Sequence, residues 1–323
     1  MELLDFKPQL RQARMPIGSR PKIEKLGTFR INVVEATPIE WNGRLLFAEW
    51  IRSFNGPKGE ELVVDGKNQD YTRFLDPEKN ETVGKFTAFG CTYISAFKDG
   101  DRVYVSGTRR DTKTVDVFSS TDLENWELVS SVETPDYVRA TYNTSMCKGP
   151  DGYVMVIEIS GDKTVIGRGF TIIFATSKDM KTWEIKPIEQ YSLFKDRYTA
   201  CPSIRYYDGY YYVVYLECWP TFRLEPTIVR TKDMETYELG FFNPFMRIDD
   251  DDKKIMYPDR FTDEEIDYIE NAVDINVSDF DFCDYNGKTR IVYSWGNQLG
   301  KEFLAQAEYD GSLEQLLKSH FID

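Results

Sequence analysis

STDLENW, residues 120–126, returns as SKDMKTW at 177–183 and as TKDMETY at 231–237. The shared form is Ser/Thr, any residue, Asp, Leu/Met, two residues and an aromatic, at intervals of 57 and 54 residues. Self-similarity at such a period marks a fold assembled from repeated supersecondary units. In each copy the hydroxyl and the Asp are placed to take backbone N–H groups of a tight turn, as Asx and ST turns do. The Leu/Met and the aromatic would then plug the space between neighbouring units. Asp122, Asp179 and Asp233 are therefore expected to be scaffold, not acids or metal ligands, because equivalent positions in successive repeats face different directions.

A second repeat supports the first. A turn ending in glycine introduces an apolar, aromatic-rich run in WNGRLLFAEW (41–50), KDGDRVYVSG (98–107), PDGYVMVIEI (150–159), YDGYYYVVYLE (207–217) and YNGKTRIVYSW (285–295). Asn-Gly and Asp-Gly between strand-like runs are the strongest short-range hairpin signal. Another strand-like stretch precedes each turn; in the middle repeats a third runs into the seven-residue motif and a fourth leaves it. The pattern predicts an all-β fold, a five-bladed β-propeller of four-stranded antiparallel blades, over residues 28–323, behind an N-terminal arm at 1–27. The last interval is long and predicts an insertion at about 241–274. It holds DDDDK (249–253), read as a solvated acidic run, and FTDEEIDYIENAVD (261–274), where Thr262 and Glu265 form a capping box ahead of a short helix. A C-terminal helix capped by Ser312 is expected in SLEQLLKSHF (312–321).

Charge and composition remove several function classes. With a net charge of −14 and no basic cluster along the chain, a nucleic-acid surface is not expected. No apolar run approaches the ~20 residues of a membrane span. The start MELLDFKPQLRQARMP lacks the basic-then-apolar order of a secretion signal, so the expected location is cytoplasmic; a leader removed ahead of it would make the protein periplasmic or secreted. Five cysteines without CxxC spacing read as buried free thiols, and a single histidine, His320, argues against histidine-based metal centres and Ser/His/Asp triads. No metal and no cofactor are expected.

The informative residues are acids inside apolar strands: Glu35, Glu49, Glu158, Glu217, Asp279 and Asp281. Counted from the turn glycines, Glu49 and Glu158 fall at the sixth position and Glu217 at the eighth, so alternation puts all three on matching strand faces. Each has a structural reading, neutralisation by Arg30, Arg52, Arg109, Arg139 or Arg205. As a cluster they also read as an acidic pocket whose carboxyls divide into acid and base by environment, with Trp50, Trp219 and Trp295 at strand ends to stack on sugar rings.

Hairpins such as DGYYYVVY and third strands ending in S-x-D-L/M-x-x-W resemble the five-bladed propeller glycoside hydrolases, the arabinanase, xylosidase, invertase and levansucrase superfamily that includes glycoside hydrolase families 43, 32, 117 and 130. The resemblance covers roughly residues 28–310. In those enzymes an inner-strand Asp of the first blade, usually followed by Pro, is base or nucleophile; the matching stretch VVEATP carries that role to Glu35. The stretches matching the acid and the pKa-tuning Asp read YNTSM, TACPS and CTYIS, without a carboxylate, and no WMNDPNG signature is present. The resemblance thus implies cleavage of a terminal sugar from an oligo- or polysaccharide, with Glu35 as base or nucleophile, Glu217 as proton donor and Asp279 completing the catalytic set. Glu49, Arg52, Glu158, Asn143, Asp281 and Trp295 would bind the substrate. Two alternatives stand beside it: a phosphorylase of the same superfamily, and a carbohydrate-binding propeller without catalysis.

Overall fold

Each hairpin glycine joins two neighbouring antiparallel strands in the computed structural model, which describes residues 20–52, 63–64, 67–191, 195–218, 223–298 and 302–321. At Asn42–Gly43, Asp208–Gly209 and Asn286–Gly287 both residues have positive φ, the type I′ requirement that favours these pairs. At Gly100 and Gly152 the preceding Asp does not share it, so those turns are of another type.

The strands group into four-stranded antiparallel units of the kind that make propeller blades. Sheet 1 is Ala36–Trp41, Arg44–Ile51, Tyr71–Asp76 and Glu81–Thr87; sheet 2 is Thr92–Asp99, Arg102–Thr108, Val115–Ser120 and Glu127–Val132. Sheet 3 is Val138–Gly149, Gly152–Gly161, Thr171–Ser177 and Glu184–Ile185; sheet 4 is Ala200–Tyr207, Tyr210–Cys218, Leu224–Thr231 and Glu238–Leu239. Sheet 5 is Asn276–Tyr285, Lys288–Gly296 and Glu302–Tyr309, with Ile23–Ile31 paired outside them. A single parallel pair, Leu224 with Asn276, links sheets 4 and 5. The first strands lie side by side in chain order, and that of sheet 5 returns to that of sheet 1.

Ile23–Ile31 corrects the predicted arm. Its partner lies some 280 residues along the chain, so no local pattern announces the pairing, yet it supplies the last strand of a sheet whose other three come from the C-terminal end. Residues 1–19 of the predicted arm lie outside the described residues. The insertion also docks on this strand: at Gly27, φ is +111° and a Cβ would sit 2.4 Å from the Lys254 carbonyl, while Thr28 and Lys254–Met256 exchange backbone hydrogen bonds. Beyond it, Asp263–Glu270 forms a helix with the Thr262/Glu265 capping box, and Leu313–Lys318 forms one capped by Ser312.

The repeated motif is a loop closed from three sides. Ser120 Oγ accepts the N–H of Asp122 and Leu123 at 3.2 and 2.9 Å, and Asp122 Oδ1 accepts those of Glu124 and Asn125 at 2.8 Å each. Ser177/Asp179 and Thr231/Asp233 repeat the pattern. These bonds hold Leu123, Met180 and Met234 at φ of 61°, 64° and 64°, a region non-glycine residues rarely enter. The aromatic then donates to the carbonyl of that residue: Trp126 and Trp183 do so at 3.1 Å, and Tyr237 through its hydroxyl. Leu123, Met180 and Met234 are buried in the cores between successive sheets, which is why the motif recurs.

Candidate active site

The first strands of sheets 2 to 5 share one irregularity. Pairing jumps from Thr92 to Ser95, Thr141 to Thr144, Ala200 to Ser203 and Ser278 to Asp281, so that two residues oppose one each time. Such a bulge bends the strand and re-aims the skipped side chains. Tyr93, Cys201 and Asp279, each the first skipped residue, have φ of 53°, 47° and 51°. The bulges turn Ile94, Asn143, Cys201 and Asp279 towards a narrow cavity of ≈ 20 Å³, closed from sheet 1 by Glu35 and Thr37.

Asn143 ties two carboxyls together. Its Nδ2 donates to Glu35 Oε1 at 3.2 Å and to Asp279 Oδ1 at 2.8 Å, so the accepting oxygens lie at most about 6 Å apart. Asp279 Oδ2 also accepts from the hydroxyls of Ser278 and Ser294 at 2.6 and 2.7 Å. Glu35 is 5% exposed, and its Oε2 is buried with no hydrogen-bond partner among the described residues. Burial first, then the charge of Asp279, lifts the Glu35 carboxyl well above the usual range; Arg52 and Asn143 oppose the shift.

Two more acids share this environment. Glu158 lies opposite the Tyr142–Asn143 bulge and accepts the Cys201 N–H at 2.7 Å. Burial pushes it up to about 8, the Cys201 N–H opposing and Asp279 adding to the rise. Glu302, not singled out in the sequence, is pushed up to about 7 by burial and then by Asp279. Asp279 therefore stands among three acids that burial biases towards the protonated form, the kind of division acid–base chemistry uses.

No protein-family profile matches the chain, and no curated protein matches it. Solved structures do. One described simply as a glycoside hydrolase is 13% identical, covers 95% of this chain and 95% of its own, and superposes with a TM-score of 0.56. The α-L-arabinofuranosidase of Fusarium graminearum is 11% identical over 94% of this chain and 99% of its own, with a TM-score of 0.52. The β-fructofuranosidase of Bombyx mori is 12% identical over 93% and 65%, also at 0.52. The chain has the fold of the propeller glycoside hydrolases.

Within this propeller the predicted site residues separate. Glu35, Asn143, Asp279 and Asp281 line the cavity, and Glu158 adjoins them. Asp281 is already satisfied: Thr37, Ser203 and the Phe282 N–H donate to it, and Arg205 ion-pairs with it. Glu49 is fully buried between Arg30 and Arg73, at 3.2 and 2.8 Å, which is the structural reading of such an acid. Glu217 is held by Arg197 at 3.1 Å and Thr227 at 3.0 Å and is not among the cavity-lining residues, so the structure does not bring it to Glu35. Arg52 donates to the Asn32 carbonyl and acts electrostatically on Glu35 and Glu302. Trp295, expected to stack on sugar, is completely buried with Phe303 stacked 4.4 Å away and its N–H on Thr28, leaving no face for a ligand. Trp219 lies outside the described residues.

A feature the sequence reading missed surrounds the acids. Trp50, Tyr93, Tyr142, Phe170 and Tyr198 touch in series, with centroid separations of 4.9, 5.4, 5.1 and 5.3 Å. Burial lifts the Tyr93 hydroxyl to about 12, with Glu35 adding to it; Tyr198 rises through burial, then Cys201, Glu158 and Asp279. Tyr93 and Tyr198 therefore lie close enough to the acids to feel their charge.

Proposed function

We propose that the chain is a five-bladed propeller glycoside hydrolase that removes a terminal sugar from an oligo- or polysaccharide, with Glu35 as proton donor and Asp279 as nucleophile. The carrying observation is the shared Asn143 amide, which fixes one oxygen of each acid while Glu35 Oε2 is left without a partner among the described residues. The resemblance gives Glu35 the part of base or nucleophile; its buried position favours the opposite role, because a carboxyl raised well above its ordinary range holds its proton more firmly and can give it to a leaving oxygen. A separation under about 6 Å leaves little room for an intervening water and fits the retaining geometry, at ~5–5.5 Å, better than the inverting one at ~6.5–9.5 Å.

In the first step the Asp279 carboxylate attacks the anomeric carbon as Glu35 protonates the glycosidic oxygen; the leaving sugar departs and a glycosyl–Asp279 ester remains. In the second, Glu35 as carboxylate takes a proton from water, whose oxygen attacks the anomeric carbon and frees Asp279. The charge of Glu158 adds to the rise of the Glu35 carboxyl.

The solved relatives are described as an arabinofuranosidase, a xylosidase and a fructofuranosidase, so aryl arabinofuranosides, aryl xylosides and sucrose form the first panel. On whichever is cleaved, Glu35→Gln should lower kcat by about 10²–10⁴ at an unchanged melting transition. Full activity in that variant sinks the acid assignment. Proton NMR of the first anomer released should show retention; inversion rules out Asp279 as nucleophile.

A further inference from the structure

The aromatic arc carries more than a neutral sugar requires. Trp50 is closed over at 3% exposure, but Tyr93, Tyr142, Phe170 and Tyr198 each keep part of their surface in solvent. A row of partly open rings beside catalytic acids is a platform for the apolar faces of pyranose or furanose rings.

One exposed guanidinium, that of Arg110, sits on that platform although the chain as a whole carries a net charge of −14. Arg110, exposed, lies 5.3 Å from the Tyr93 centroid and donates to its hydroxyl at 3.2 Å. Arg52 lies 5.7 Å from the Trp50 ring and is close enough to the acids to oppose the shifts of Glu35 and Glu302. Neutral hydroxyls are read as well by amides and carboxylates; planar cations beside a stacking surface match a planar anion.

We propose that the arc binds a carboxylate-bearing sugar, a uronic acid residue next to the scissile bond, with its ring on Tyr142 and its carboxylate on Arg110. This rests on the glycosidase reading and names its substrate class. The acids of the site are compatible with an anionic ligand, since burial favours the uncharged form of Glu35 and Glu158.

The test separates binding from turnover. Trigalacturonate and its fully methyl-esterified form present the same sugar with and without charge, and their affinities are measured by calorimetry on the native protein and on Glu35→Gln, at low and near-physiological salt. The acid should bind about tenfold tighter than the ester at low salt, and the gap should shrink as salt rises. Arg110→Ala, at an exposed position and checked by its melting temperature, should remove most of that preference. Equal affinities, no binding of either sugar, or an unchanged preference in Arg110→Ala overturns the proposal. Failure of the glycosidase reading looks different: the acid binds with its preference while no member of any substrate panel is turned over.

Discussion

Replacing Glu158 with Gln should flatten a loss of stability that the native protein suffers as pH rises from about 5 to 8. Glu158 is 3% exposed on the second strand of sheet 3, and burial lifts its carboxyl from 4.5 to about 8. Between those values the unfolded chain has released a proton that the folded chain still holds. Fewer protons bound in the unfolded state means stability falls with rising pH: the contribution is complete below 4.5 and lost once pH passes 8. At about 1.4 kcal/mol per pH unit, the gap amounts to something on the order of 5 kcal/mol. Gln keeps an oxygen for the Cys201 N–H but has no proton to lose. Glu158→Gln should therefore match the native protein within about 1–2 kcal/mol at pH 5 and exceed it by several at pH 8. Urea unfolding of both proteins at pH 5, 6.5 and 8 measures this. The slope left in the variant comes from Glu35, Glu302 and the half-buried Asp274, all raised in the same direction, opposed below about pH 6.5 by His320, which burial lowers to about 4. Stability curves for the two proteins that run parallel across the window refute the reasoning.

Glu49→Gln should cost roughly 3–5 kcal/mol by urea unfolding, because it leaves Arg30 and Arg73 packed around a neutral amide; a loss below about 1 kcal/mol would mean the ion triad is not what ties the middle strands of sheet 1 to Ile23–Ile31. Gly84→Ala should lower the melting temperature by at least a few degrees, since φ is +72° there and the new Cβ would lie 2.3 Å from the Leu123 carbonyl that Lys85 N–H binds. An unchanged melting temperature would show that the seam between sheets 1 and 2 yields freely.

What could be read from the sequence was what is settled within a few residues. The STDLENW loop is legible because hydroxyl, Asp, left-handed Leu and capping Trp all act on one another inside seven positions, and the same solution is needed wherever a third strand turns back. The hairpin turns are legible for the same reason. The strand Ile23–Ile31 is not, because its partner lies at the other end of the chain. Parity along the strands placed Glu49, Glu158 and Glu217 on one face, yet arginines set their fates: Arg30 and Arg73 take the first, Arg197 takes the third, and Glu158, met by the backbone N–H groups of Cys201 and Asn143, keeps its raised titration.

The residues that gather at the centre are those for which the two-residue period fails. Ile94, Asn143, Cys201 and Asp279 are skipped by the register of their own sheets, so a reading based on alternation gives them no consistent face, and Glu35 precedes its strand altogether. The stretches in which the resemblance finds no carboxylate, CTYIS, YNTSM and TACPS, are the same bulges. There the chain has put an aliphatic side chain, an amide and a thiol in place of the expected acids, and the amide of Asn143 supplies the coupling, joining Glu35 at the start of sheet 1 to Asp279 of sheet 5. A site built on bulges tolerates such exchange, because the bulge fixes where a side chain points and leaves its chemistry open. The absence of a familiar acid at these positions is therefore weak ground for calling the propeller inactive, and the proposed acid role rests instead on a Glu35 oxygen that has no partner among the described residues beside a triply hydrogen-bonded Asp279.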